Sequence, residues 1–204
     1  MKLFLASLAS TTLDLVLPLL PDKPNNLKVA FIPTAADPYG DIPMPWMDAD
    51  RNKLVGMGFA VSNYDLKGKS IDVLRSELAD FHVIFVAGGN VYYLLDIVKK
   101  TGFDIVIKEL LSKGVVYIGA SAGSVIMCPT IDHTRIIEHP EAVSEMIDFS
   151  GLSLVDSLIG PHYGNPKYSQ RYEQIIMEWG DKLLLLRDNQ ALVVNDDKIK
   201  VVTI

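Results

Sequence analysis

Short, unbroken apolar runs recur along this chain, and stretches with helical spacing lie between them. Leu3–Ala6, Val29–Pro33, Val61–Tyr64, Val83–Val86 and Val115–Ile118 are the runs. Leu13–Leu20, Met47–Met57, Ile71–Leu78, Val91–Val98 and Ile105–Leu111 place apolar residues at helix-like intervals. A strand that is apolar on both faces has to be covered on both faces. The alternation therefore predicts an α/β fold, a mostly parallel sheet with helices on both sides. Farther on, Leu152–Ile159 reads as another strand and Tyr168–Trp179 as a helix. Then the pattern changes: Leu183–Leu186, Ala191–Val194 and Ile199–Ile204 follow one another with only turn residues between. Asn195-Asp196-Asp197 predicts that the last two form a hairpin. No repeat, low-complexity tract or linker interrupts the chain, so one domain over residues 1–204 is expected.

Composition closes off several classes of function. The 204 residues suffice for one sizeable core, and 49% hydrophobic with 22% charged residues describes a globular chain. The formal net charge is −6, with Lys and Arg scattered, so neither nucleic acid nor a membrane surface is an expected partner. The lone Cys128 makes no internal disulfide and fits a reducing, cytoplasmic setting. The apolar start, with Lys2 and then Ser7-Leu8-Ala9, has the outline of a signal peptide. Thr11, Thr12 and Asp14 break it early, and it is too short to span a bilayer. It reads as the first core strand followed by a helix.

In such sheets functional residues gather in loops at the carboxyl ends of the strands. Thr34–Pro45, Ala87–Asn90, Ala120–Ser124 and Gly160–Lys167 are those loops. Gly119-Ala120-Ser121-Ala122-Gly123 has the form G-x-S-x-G, after a strand and before the helical start Val125-Ile126-Met127. Glycines flank such a serine because the turn is strained and neighbouring backbone comes close. A helix starting there directs its first N–H groups at whatever Ser121 attacks. The same residues also suit a close-packed turn or an anion cradle. Ala87-Gly88-Gly89-Asn90 ends another strand, with Asn90 a natural N-cap. The N–H of Gly88 or Gly89, with that of Ala122, would form an oxyanion hole.

A serine nucleophile needs a base, and the chain has four histidines. His82 leads into a strand and reads as structural, while His133 and His139 sit in the irregular segment after the elbow. His162 lies in Gly160-Pro161-His162-Tyr163-Gly164-Asn165-Pro166, a tight loop after the strand Leu152–Ile159, and is the candidate base. A carboxylate should orient its ring. Asp188 at a strand end would give the order Ser, His, Asp. Glu138 or Asp132 would give the order Ser, acid, His. Asp132, His133, Glu138 and His139 fit no helical metal motif, so no metal is expected.

Phe85-Val86-Ala87-Gly88-Gly89-Asn90, Tyr117-Ile118-Gly119-Ala120-Ser121-Ala122-Gly123, Pro161-His162-Tyr163 and Cys128-Pro129-Thr130-Ile131 resemble peptidase E, the aspartyl dipeptidases, grouped with the cyanophycinases. The resemblance runs over nearly the whole chain. It implies a flavodoxin-like fold related to class I glutamine amidotransferases, with Ser in place of their Cys. It implies a cofactor-free serine peptidase acting on small peptide substrates with N-terminal aspartate. Ser121 and His162 carry over directly, and the acid maps onto Asp188 or the Asp132–Glu138 region. Substrate-binding candidates are Asn90 and Arg171, the latter suited to a carboxylate by its planar fork. Arg171 reads equally as a solvated charge paired with Glu173 or Asp181. The rival expectations are a broader amidase or esterase and a non-catalytic small-molecule binding protein on the same fold. Monomer and homodimer both stay open.

Overall fold

The computed structural model describes residues 1–136, 143 and 147–204. Its main sheet is built from β1 (Lys2–Ala6), β2 (Lys28–Ile32), β3 (Ala60–Asn63), β4 (Val83–Val86) and β5 (Val116–Ala120), all parallel where they pair. A C-terminal hairpin of β8 (Gln190–Asn195) and β9 (Lys198–Thr203) joins it antiparallel to β1. The resulting order is β3-β2-β4-β5-β1-β8-β9. Asp196, at φ 52°, makes the hairpin turn that its sequence predicts.

Alternate residues of each strand enter opposite cores. Leu3 and Leu5 pack with α3 (Ile71–Leu78), α4 (Val91–Thr101) and α5 (Phe103–Ser112) on one face. Phe4 and Ala6 pack on the other face with α1 (Ala9–Thr12) and α2 (Pro45–Gly56). Chain direction explains the two layers. The connections from β1 to β2 and from β2 to β3 step one way along the sheet, and those from β3 through β5 step back. The returning path brings β5 to lie beside β1, and a crevice opens beyond their carboxyl ends.

Three elements differ from the sequence expectation, each for a physical reason. The helix expected over Leu13–Leu20 is a 3₁₀ turn over Leu13–Leu19 that follows the short α1, because Pro18 has no N–H to continue an α-helix. The helix after the elbow, α6 (Ala122–Val125), lasts a single turn, since Pro129 forbids its extension. Most of Leu152–Ile159 is not a strand. The N–H groups of Leu152, Ser153 and Leu154 bond to the carbonyls of Ile126, Cys128 and Met127, finishing α6, and Ser153 has φ 52°. Only Leu158–Gly160 remains as β6, which pairs in parallel with β7 (Leu183–Leu185) in a second, two-stranded sheet. The helix α7 (Ser169–Trp179) connects β6 to β7. No helix among the described residues is long and apolar enough to cross a membrane.

The elbow is tied to the core by one buried side chain. Tyr117 on β5 donates from its hydroxyl to the Gly123 carbonyl at 2.7 Å. Tyr117→Phe strands that carbonyl and is expected to lower stability by about 1–3 kcal/mol, read from urea denaturation.

Candidate active site

The strand β5 ends at Ala120, and the next residue is forced into a turn. Ser121 has φ 47° and ψ −106°, a region that residues with a side chain rarely occupy. Its N–H bonds the Ala6 carbonyl at 3.0 Å, prolonging the β1–β5 ladder by one residue. Ser124 locks the turn by donating to Ala6 and Gly119 carbonyls at 2.8 and 2.9 Å. The flanking glycines are required by space. A Cβ on Gly123 would stand 2.2 Å from the Val86 carbonyl oxygen, and one on Gly119 would stand 2.6 Å from Gly123 backbone.

The second sheet brings the candidate base. After β6, the loop turns at His162, which also has a positive φ of 63°. The hydroxyl of Tyr172 on α7 donates to the Pro161 carbonyl and pins this loop from beneath. His162 Nε2 lies 3.0 Å from Ser121 Oγ, and Nδ1 lies 2.6 Å from Asp188 Oδ1. Asp188 follows β7, the parallel partner of β6, so one small sheet delivers both groups. The hydrogen bond from His162 holds the Asp188 carboxyl below its ordinary value of 3.8, against the opposing effect of burial. An ionised carboxylate only accepts, so Nδ1 carries the proton and Nε2 receives the Ser121 hydroxyl. The Tyr168 ring stacks on the imidazole at 5.6 Å and 26°, further restricting its plane.

Ser7, fully buried after β1, completes the network. Its Oγ accepts the His162 backbone N–H at 2.7 Å and donates to Asp188 Oδ1 at 3.1 Å. These groups line a cleft of about 430 Å³, within the usual size of small-ligand pockets. Gly88, Gly89 and Ala122 line the same wall as Ser121. A Cβ on Gly88 would approach Ser121 Cβ to 3.3 Å, and one on Gly89 would strike the Ala35 carbonyl oxygen at 2.2 Å. Bare backbone is what fits there.

Comparison with known proteins follows the same outline. The family model described as "Peptidase family S51" matches residues 4–202. This chain belongs to that family. It is a serine peptidase of the peptidase E kind. An uncharacterized peptidase of Pasteurella multocida, PM1590, is 32% identical over 198 residues, covering 96% of this chain and 94% of the other. A Drosophila melanogaster relative that bears the name alpha-aspartyl dipeptidase is 30% identical over 158 residues, 72% of this chain and 62% of the other. The crystal structure of a Listeria monocytogenes protein assigned to peptidase E superposes with a TM-score of 0.91 at 26% identity, covering 100% and 98% of the two chains.

Within this S51 peptidase the other sequence candidates fall elsewhere. Asp132 forms an ion pair with Arg135, and buried His133 turns Nε2 to the Ile159 carbonyl at 2.9 Å. Neither faces His162. Glu138 and His139 lie outside the described residues. His82 Nδ1 accepts the Lys28 N–H at 3.1 Å beside the sheet. Cys128 is buried, and burial pushes its thiol up to about 12, which removes it as a rival nucleophile. Asn90 spends its side-chain oxygen capping α4, accepting the Tyr93 N–H at 2.9 Å, and does not line the cleft. Arg171 also departs from its expected place: it sits exposed on α7, outside the cleft lining. The short connection from His162 brings Lys167 to the cleft instead.

Ser7, Lys167 and Asp50 are cleft residues that sequence reasoning missed. Ser7 was visible only as part of an apolar start, with nothing in its neighbours to announce a hydrogen-bonding role. Asp50 had a faint signal, a carboxylate at a position of α2 that packs inward.

The depressed Asp188 pKa has a definite consequence. A carboxyl whose folded value lies below its unfolded one adds stability that is complete above the unfolded value. That stability is lost as pH falls through the folded value. Asp188→Asn should therefore destabilise the protein near neutral pH, and the gap should narrow as pH falls below about 4. Urea denaturation of both proteins across that range checks it; a gap independent of pH would contradict the ionised pair.

Proposed function

We propose that this peptidase hydrolyses dipeptides or short peptides with N-terminal aspartate through a Ser121–His162–Asp188 triad and an acyl-enzyme. The observation that carries the reading is the hydrogen-bond chain from Asp188 through both nitrogens of His162 to a strained, cleft-lining Ser121. Ser121 Oγ attacks the scissile carbonyl carbon while its proton passes to His162 Nε2. The carbonyl oxygen becomes an oxyanion held by backbone N–H groups of Ala122 and of Gly88 or Gly89. Collapse breaks the C–N bond, and the imidazolium returns the proton to the departing amine. A water then attacks the Ser121 ester, losing its proton to Nε2, and the carboxylic acid leaves as Ser121 regains its hydrogen. Asp188 keeps its charge throughout, fixing the tautomer and balancing the imidazolium.

Ser121→Ala should fold normally and lose turnover. A fluorophosphonate probe followed by mass spectrometry should label Ser121; labelling of another residue would overturn the assignment. Asp188→Asn should lower kcat by about four orders of magnitude, because the amide supports the wrong tautomer.

Preference for aspartate needs a cation within the cleft. Lys167 lines it, with its ammonium 5.1 Å from the centre of the Tyr168 ring that stacks on His162. An ammonium there meets a substrate carboxylate as a point charge rather than as a fork. Asp-Leu should be cleaved faster than Ala-Leu, and Lys167→Met should remove that preference while Arg171→Met leaves it. Equal rates on the two dipeptides in the parent enzyme would point to the broader amidase or esterase reading.

A further inference from the structure

Among the described residues, the triad, the oxyanion donors and Lys167 leave one carboxyl group of the cleft lining without a role. Asp50, on α2, is 1% exposed, yet it lines the same cleft as Ser121 and His162. Its Oδ1 accepts the Ser10 N–H at 2.6 Å, which fixes the carboxylate against the start of α1. Ser10 stands only three residues beyond Ser7, the hydroxyl that touches both His162 and Asp188. Asp50 thus sits on the β1 side of the crevice, in the lining that also holds Ser7, Ser121 and His162. Burial pushes its carboxyl up to about 6, while the hydrogen bonds from Ser10 pull it back, so it is mainly ionised at neutral pH.

A structural cap does not require this chemistry. The Ser10 N–H asks for one neutral acceptor, which Asn or Ser supplies equally well. A buried carboxylate beside a reaction centre is costly to hold unless a cation answers it. In a peptide cleaved after its first residue, the α-ammonium is two bonds from the scissile carbon. An acceptor for that ammonium must therefore stand in the wall next to the nucleophile.

We propose that Asp50 receives the α-ammonium of the substrate's first residue and so restricts the enzyme to peptides with a free N-terminus. The inference rests on Ser121 being the nucleophile, and it names the other half of what the cleft reads. Lys167 answers a side-chain carboxylate, whereas Asp50 answers the amine that every unblocked peptide carries. Asp50 is a binding residue here, with no part in proton transfer.

The test compares p-nitroanilides of Asp and Ala with their desamino counterparts, the succinyl and propionyl anilides, in which hydrogen replaces the ammonium. The parent enzyme should prefer each amine-bearing member by more than about a hundredfold in kcat/KM, since a site built for a charged group rejects the analogue lacking it. Asp50→Asn keeps an oxygen for the Ser10 N–H but loses the charge. Its preference should fall to within about tenfold, through KM, while the fluorophosphonate still labels Ser121. A parent that is labelled yet cleaves the desamino anilides as well would overturn the proposal. So would an Asp50→Asn variant that keeps the full preference and only melts earlier, which is the behaviour of a helix cap. Should the variant not fold, alaninamide and propionamide are compared as inhibitors of the parent; equal inhibition is equally fatal. Failure of Ser121 to label in the parent, with all four anilides untouched, would instead remove the serine mechanism beneath the inference.

Discussion

The bond from the Ser121 N–H to the Ala6 carbonyl is the contact on which the site depends. It extends the pairing of β5 with β1 by one residue beyond the end of both strands, so that Ser121 and Ser7 come to rest next to each other. Ser121 then turns out of the ladder, while Ser7 reaches across to the other sheet with its hydroxyl. One side chain, Ser124, bonds both Ala6 and Gly119 carbonyls and prevents the two strand ends from parting.

The proposed base and acid belong to a different piece of architecture. The two-stranded sheet of β6 and β7 shares no strand with the main one, and it presents His162 and Asp188 from its own carboxyl ends. The Ser7 hydroxyl is the seam, accepting from one and donating to the other. Ser121 is therefore fixed by a sheet covered on both faces, and His162 and Asp188 by a small sheet tied down by the Tyr172–Pro161 bond and by this hydroxyl. Both kinds of support are short and local, which suits a constellation that works only at hydrogen-bonding distances.

Much of this was legible in the chain because the signals were strong and local. Continuous apolar runs announced the parallel strands, the G-x-S-x-G turn announced the elbow, and Asp196-Asp197 announced the hairpin. Leu152–Ile159 misled because apolar content does not separate a strand from a segment whose N–H groups cap a neighbouring helix end. Asp188 stood out as a strand-end carboxylate. Ser7 and Asp50 stood out hardly at all, since each acquires its neighbours only through tertiary folding: Ser7 meets residues more than 150 positions away, and Asp50 of α2 meets Ser10 of α1. Arg171 was attractive for its chemistry, but the length of the loop after His162 decides which cation reaches the cleft, and that length favours Lys167.

Two of the residues assigned to chemistry, Ser121 and His162, both have backbone angles that only glycine adopts freely. Glycine at either place would relieve strain worth roughly 1 kcal/mol or more. At 162 the ring also holds the bond to Asp188, so glycine there would exchange one cost for another, whereas at 121 the strain is the larger part. On the proposed mechanism, these two strained angles are the places where the fold gives up stability for activity.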